Sequence, residues 1–269
     1  MSIPTTFQDL IGYDLGSRAI GWTERDAILY ALACGAKAHD LDLIYERDLR
    51  TLPGIVAALG LWAVERCGDL GVYDRKKSLH VSQGLTIRQP LPASGHFETR
   101  GRVIAVWDKG KATIVEIEVA CDAFTAGYSI FLPGVGGWGG SQPPAMPSVG
   151  PAAELAPIAE FQTSPEQAVL YRLTGDLHPV HVDFEIARAY GFARPILHGL
   201  CTLGIALRAL GPAFDTHPAM LTAASARLSA PVLPGDLLNI RAATTGECIA
   251  FEVGVADRIV LKDGVARFS

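Results

Sequence analysis

Between its 133rd and 147th residues the chain runs Pro133-Gly134-Val135-Gly136-Gly137-Trp138-Gly139-Gly140-Ser141-Gln142-Pro143-Pro144-Ala145-Met146-Pro147. Glycine and proline at this density fit neither a helix nor the interior of a sheet. The stretch falls near the middle of 269 residues, enough for one large domain or two of ordinary size. The two sides share a layout. In the first, Leu52-Pro53-Gly54 leads into the apolar run Ile55-Val56-Ala57-Ala58-Leu59-Gly60, and Pro92 follows Pro53 by 39 residues. In the second, Arg194-Pro195-Ile196-Leu197-His198-Gly199 leads into another apolar run, and Pro234 follows Pro195 by the same 39. The two patterns lie 142 residues apart. Each later proline turn precedes strand-like runs, over 97–106 and 113–120 in the first half and 237–243 and 248–255 in the second.

The run from Gly199 to Leu210 is apolar on nearly every side. A helix of that kind must be buried, and the strands that follow it are its natural wrapping. The expectation is a duplicated α+β unit: a first half over 1–132, a Gly/Pro-rich linker over 133–153, and a second half over 154–269. The linker also contains Gly134-x-Gly136-x-x-Gly139, formally a dinucleotide fingerprint. That fingerprint needs a helix opening at its glycines, and Pro143, Pro144 and Pro147 oppose one.

Charge narrows the partners. Lys and Arg number 23 against 28 Asp and Glu, for a net charge of −5, and no basic segment exceeds short pieces such as Asp74-Arg75-Lys76-Lys77. The electrostatic footprint of a nucleic-acid binder is missing. The uncharged stretch over 123–142 is broken by Pro133 and many glycines, so no membrane helix is expected. Five widely spaced cysteines without a C-x-x-C pair suit a reducing compartment. Neither a secretory signal at the N-terminus nor a peroxisomal address in Arg267-Phe268-Ser269 is visible, and the expectation is a cytoplasmic protein.

The chemistry concentrates in Tyr171-Arg172-Leu173-Thr174-Gly175-Asp176-Leu177-His178-Pro179-Val180-His181-Val182-Asp183. A tight turn bearing Asp176, His178 and His181 is the kind of segment on which catalytic groups are mounted. Asp176 and His181, five residues apart across a proline, can converge on one water as base and proton-orienting partner. Further on, Gly199 opens the buried helix, whose free N–H groups and positive dipole end suit a developing oxyanion. Asp176, His178 and His181 also match the ligand types of a two-His, one-carboxylate metal site. At the offset of 142, His181 corresponds to His39 while Asp176 corresponds to Cys34, so the first half lacks the pair.

These residues carry a family resemblance. Tyr171-Arg172-Leu173-Thr174-Gly175-Asp176, Pro179-Val180-His181-Val182-Asp183 and Pro195-Ile196-Leu197-His198-Gly199-Leu200-Cys201-Thr202 resemble the signature of MaoC-like type 2 enoyl-CoA hydratases, most closely the hydratase unit of the peroxisomal multifunctional enzymes. Leu43-Ile44-Tyr45-Glu46, Leu79-His80, Pro90-Leu91-Pro92 and Asp108-Lys109-Gly110-Lys111 extend the likeness over most of the chain. The resemblance implies a double hotdog and (R)-specific hydration of trans-2-enoyl-CoA in the catalytic second half. It further implies Asp176 and His181 as the water-activating pair and the Gly199 amide as the thioester-oxygen donor. It also places His80, Val81, Lys109 and Leu228 in a CoA-ester pocket together with His178, and leaves the first half to accommodate the acyl chain. It implies no metal or other cofactor, and a homodimer is expected. One departure stands out: His178 occupies a position where the family has Asn. The expectation is a lining residue that replaces one polar partner with another, with altered substrate range or pH dependence as the alternative.

Overall fold

The computed structural model describes residues 3–144 and 154–269, so the part of the expected linker over 145–153 lies outside the described residues. Ten strands form one antiparallel sheet: β1 (Asp14–Trp22), β2 (Leu79–Ile87), β3 (Gly95–Asp108), β4 (Ala112–Ala120), β5 (Phe124–Pro133), β6 (Ala156–Gln162), β7 (Leu221–Leu228), β8 (Leu237–Thr245), β9 (Cys248–Val255) and β10 (Arg258–Phe268). Their spatial order is β1-β3-β4-β5-β2-β7-β10-β9-β8-β6. Each half therefore uses the same permutation of its five strands, read outward from a central seam. At that seam β2 pairs with β7 over Ser82↔Arg227, Gln83↔Ala226, Gly84↔Ser225 and Leu85↔Ala224. Shifting either strand by 142 maps this set of pairs onto itself, the register of a pseudo-twofold.

The duplication read from the prolines is thus real in space. β6, β7 and β8 begin 142 residues after β1, β2 and β3, whereas β9 begins only 136 after β4. The shortfall arises because β3 has 14 residues and β8 has 9, so the repeat drifts after the third strand.

Eight helices accompany the sheet among the described residues: α1 (Phe7–Leu10), α2 (Glu24–Ala33), α3 (Leu41–Ile44), α4 (Ile55–Leu59), α5 (Trp62–Asp69), α6 (Gln167–Arg172), α7 (Phe184–Ala189) and α8 (Gly199–Ala213). α8 is the expected all-apolar helix, with 11 of its 15 residues buried. Burial at this density comes from the strands it packs on, whose inward residues are in the core: Leu221, Ala224 and Ala226 on β7, Leu238, Ile240 and Ala242 on β8, and Val260, Leu261 and Ala266 on β10. α8 also leans on the first half. A Cβ at Gly204 would lie 2.5 Å from the Cys34 sulfur, so only glycine permits that approach.

The matching helix of the first half is not continuous. It breaks at Gly60, where the apolar run read from the sequence also ends, into α4 and α5. The Tyr128 hydroxyl of β5 donates to the Ala57 carbonyl at 2.7 Å, occupying the acceptor that the next turn of helix would use. The Leu61 N–H turns to Ala58 instead.

Over 134–144 the glycine stretch opens no helix. Asp108 organises it, accepting from the N–H groups of Gly110 (2.8 Å), Gly137 (2.8 Å) and Gly139 (2.9 Å). Trp138 packs against Phe7 and donates to Thr113. No helix among the described residues is long and apolar enough to cross a membrane.

Candidate active site

A cavity of about 530 Å³ opens where α8, the turn before it and the β2–β7 seam meet. Asp176, His178, His181, Gly199 and Leu228 of the second half line it, together with His80 and Val81 of the first. Thus seven of the eight residues singled out by sequence converge. Lys109 does not. It sits exposed on the turn between β3 and β4, against which the Asp108-centred glycine loop is folded, and is absent from the cavity wall.

Local hydrogen bonds build the turn. The Asp176 carboxylate accepts from the His178 N–H at 3.2 Å, and the His178 Nδ1 accepts from the Val180 N–H at 3.3 Å. His178 thereby caps a single 3₁₀ turn, Pro179–His181, with proline at its first position, where no N–H is needed. Asp183 then caps α7 by accepting from Glu185 and Ile186. This sequence of caps fixes where His181 leaves the chain. The His181 Nδ1–H donates to the Ile196 carbonyl at 2.8 Å, which leaves Nε2 as a lone-pair acceptor. Behind it lies His198, fully buried, its Nε2–H donating to the Asp176 carbonyl at 3.1 Å and its ring stacked on that of His181 at 3.6 Å.

Electrostatics follow from burial. Loss of water raises the Asp176 carboxyl above its ordinary value, outweighing the pull of the His178 N–H. Burial pushes His181 down to about 4 and His198 well below its ordinary value. The site therefore holds a carboxyl with a strengthened affinity for a proton beside neutral imidazoles. His178 is lowered as well, by burial first and by His181 second.

Asp176, His181 and His198 offer donor atoms within 4.8 Å of one another, a different set from the metal ligands the sequence suggested. Their geometry does not suit a cation. Imidazole lone pairs lie in the ring plane, and two rings stacked 3.6 Å apart with planes only 26° from parallel direct those lone pairs side by side rather than to one point.

Gly199 begins α8, and its N–H has no hydrogen-bond acceptor among the described residues. A Cβ there would meet Leu228 Cδ1 at 2.8 Å, so glycine both exposes the amide and admits the leucine that lines the cavity. On β2 a register shift between His80 and Ser82 marks a bulge that turns His80 and Val81 to the cavity. Burial pushes His80 down to about 4. Residues that sequence reasoning missed add to the wall: Leu61, which caps α5, Val64 within it, Tyr73, Arg75, Tyr190 and Phe192. Among the described residues Arg75 is its only Lys or Arg; in the sequence it stands in a basic segment, 75–77, too short for nucleic acid.

A buried helix in each half of a continuous antiparallel sheet is the double hotdog, here with one acid–imidazole pair facing a cavity beside a free helix-opening amide. Comparison with known proteins agrees. The family profile described as "MaoC like domain" matches residues 150–262, and that of the "MFE-2 hydratase 2 N-terminal domain" matches residues 21–133. The chain is 32% identical to enoyl-CoA hydratase ChsH3 of Mycobacterium tuberculosis over 98% of each chain. Among solved structures, a MaoC-like dehydratase from Phytophthora capsici superposes with a TM-score of 0.84 at 26% identity, covering 100% of this chain and 99% of that one. The full-length peroxisomal multifunctional enzyme type 2 of Drosophila melanogaster gives a TM-score of 0.78 at 31% identity over 94% of this chain and 48% of that one. The chain spans about half the length of that multifunctional enzyme. It belongs to the MaoC-like type 2 enoyl-CoA hydratase family.

Proposed function

We propose that the protein hydrates trans-2-enoyl-CoA to (R)-3-hydroxyacyl-CoA, or runs the reverse dehydration, with Asp176 and His181 as the water-activating pair. The carrying observation is the arrangement of these two groups: a carboxyl of raised proton affinity and an imidazole held with its Nε2 lone pair free, on one turn facing one cavity. A water between them donates one hydrogen bond to the Asp176 carboxylate and the other to His181 Nε2, the second O–H staying with the oxygen throughout. The water oxygen adds to the β-carbon as its proton passes to Asp176, and Asp176 returns that proton to the α-carbon on the same face. The Gly199 N–H, at the positive end of α8, holds the thioester oxygen as it takes on enolate charge. No metal enters this scheme.

The rest of the reading attaches to this step. The second half, 154–269, supplies the acid–imidazole turn and the helix amide; the first half, 1–132, supplies wall from α5, His80 and Val81, which suits accommodation of the acyl chain; 133–153 joins them. With Lys109 away from the cavity, Arg75 is the cation best placed for an anionic CoA. Relatives of this chain carry names from peroxisomal as well as bacterial enzymes. A cytoplasmic location rests on cysteine usage and a homodimer on family likeness; fractionation and light scattering test these.

The deciding experiment follows the enoyl-thioester absorbance with trans-2-enoyl-CoAs of increasing length, with the chirality of the product determined. Loss of absorbance with an (R)-3-hydroxy product supports the reading. Release of free thiol in its place identifies a thioesterase, and an unchanged spectrum with retained binding identifies an acyl-CoA-binding protein.

A further inference from the structure

His178 departs from the family pattern, and its contacts give that departure a consequence. Its Nδ1 accepts from the Val180 N–H, so the neutral ring must carry its proton on Nε2. That Nε2–H faces the Tyr190 oxygen at 3.3 Å, with the two rings edge-on at 5.4 Å and 85°. The direction of the hydrogen bond is thereby fixed: imidazole donates, phenol oxygen accepts. Among the described residues no acceptor takes the Tyr190 hydroxyl proton. Both residues line the cavity, beside Asp176 and His181.

We propose that Tyr190 is a specificity-determining residue of this cavity: its hydroxyl, turned by His178, donates a hydrogen bond to an oxygen of the bound acyl thioester. This rests on the hydratase reading above. Leu61, Val64, Phe192 and Ile196 give the wall apolar stretches beside the polar Arg75 and Ser78, so an oriented donor at the half-buried Tyr190 favours a ligand that places an oxygen opposite it over one that places a hydrocarbon there. Apart from the thioester oxygen assigned to the Gly199 N–H, such an oxygen comes from an oxygenated acyl chain or from the CoA moiety, whose pantetheine amides lie nearest the thioester. His178 acts through Tyr190 and is a positioning residue.

The test compares the full-length wild type with Tyr190→Phe, which keeps the ring and removes only the hydroxyl. Three substrates are used: a plain trans-2-enoyl-CoA, the same ester with an oxygen on its distal chain, and the plain enoyl group as its ethyl thioester, which has no pantetheine. The expected effect is a rise in KM of about three- to tenfold with kcat falling less than twofold. A rise for both CoA esters that vanishes with the ethyl thioester assigns the acceptor to the CoA moiety. A rise confined to the oxygenated chain assigns it to the acyl group. KM unchanged for all three, or kcat falling in step for all three as a purely structural role would give, overturns the proposal. In a His178→Asn background, Tyr190→Phe should add little; fully additive effects overturn the part played by His178. A wild type that hydrates none of these esters overturns the hydratase reading instead. Calorimetric Kd values for the same esters then read the Tyr190 contact directly, with unchanged Kd overturning it.

Discussion

The segments that lead into the two buried helices begin at matching points of the repeat and end in opposite surroundings. In the second half Asp176 and His181 face a common cavity, braced by His198 and the Ile196 carbonyl. In the first half the matching residues are Cys34, fully buried, and His39, whose side chain is 83% exposed beside Asp40. The helices differ in the same sense. α8 runs unbroken from an unpaired glycine amide, while α4 ends at Gly60 and the position matching Gly199 is Ala57, whose carbonyl is taken by Tyr128. Duplication preserved the sheet, which needs only alternating apolar residues. It did not preserve the site, which needs particular groups at particular atoms. The first half retains a part in the site by lending wall, His80 and Val81.

The sharpest way to break this contrast is to disarm the second half. Asp176→Asn or His181→Ala should lower kcat by about 10²- to 10⁴-fold with an unchanged circular dichroism spectrum. Mutation of His39 should leave kcat within about twofold, and a large loss there would give the first half chemistry of its own. Next in size is Gly199→Ala, whose Cβ would press on Leu228. It should lower kcat/KM about tenfold or more by displacing the helix opening, with a fall in Tm that Leu228→Ala in the same chain partly restores.

Stability against pH separates the buried groups. His181 and His80 sit at about 4 when folded against an ordinary 6.5, so the unfolded chain binds more protons between those values. Folding stability should therefore be level above about pH 6.5 and fall as the pH drops toward 4, with His80→Gln and His181→Gln each flattening the slope in urea titrations. Asp176 has the opposite sign. Its raised carboxyl pKa makes the buried charge a cost at neutral pH, so Asp176→Asn should raise Tm while removing activity. The smallest effects are expected where sequence and structure part. Lys109→Ala should leave KM within about twofold, whereas Arg75→Ala should raise it several-fold, both read in the same assay. Chelation should leave activity unchanged, since the stacked imidazoles do not converge on a cation.

Much of the architecture was legible because it rests on patterns of short range. The prolines at an offset of 142, the all-apolar run after Gly199 and the alternating strands marked the duplicated unit and two of its strand pairs, β3–β4 and β8–β9. The turn around Asp176 was legible for the same reason, since its caps lie within five residues of one another. Lys109 lies off the cavity wall, and nothing in its own neighbourhood records that a glycine loop, held by Asp108, folds against that hairpin. Tyr190, Arg75 and the walls of α5 went unread because they reach the cavity only through packing of one half on the other.

By itself, then, the sequence determined the repeat, the central helix and the acid–imidazole turn, because each depends on backbone preferences and hydrophobic period over a few residues. The tertiary structure decided the rest: that two five-stranded halves join through β2 and β7, that a tyrosine hydroxyl interrupts one central helix and spares the other, and that burial gives Asp176 and His181 opposite shifts. Those outcomes depend on desolvation and on contacts between residues far apart in the chain, quantities that no local pattern encodes.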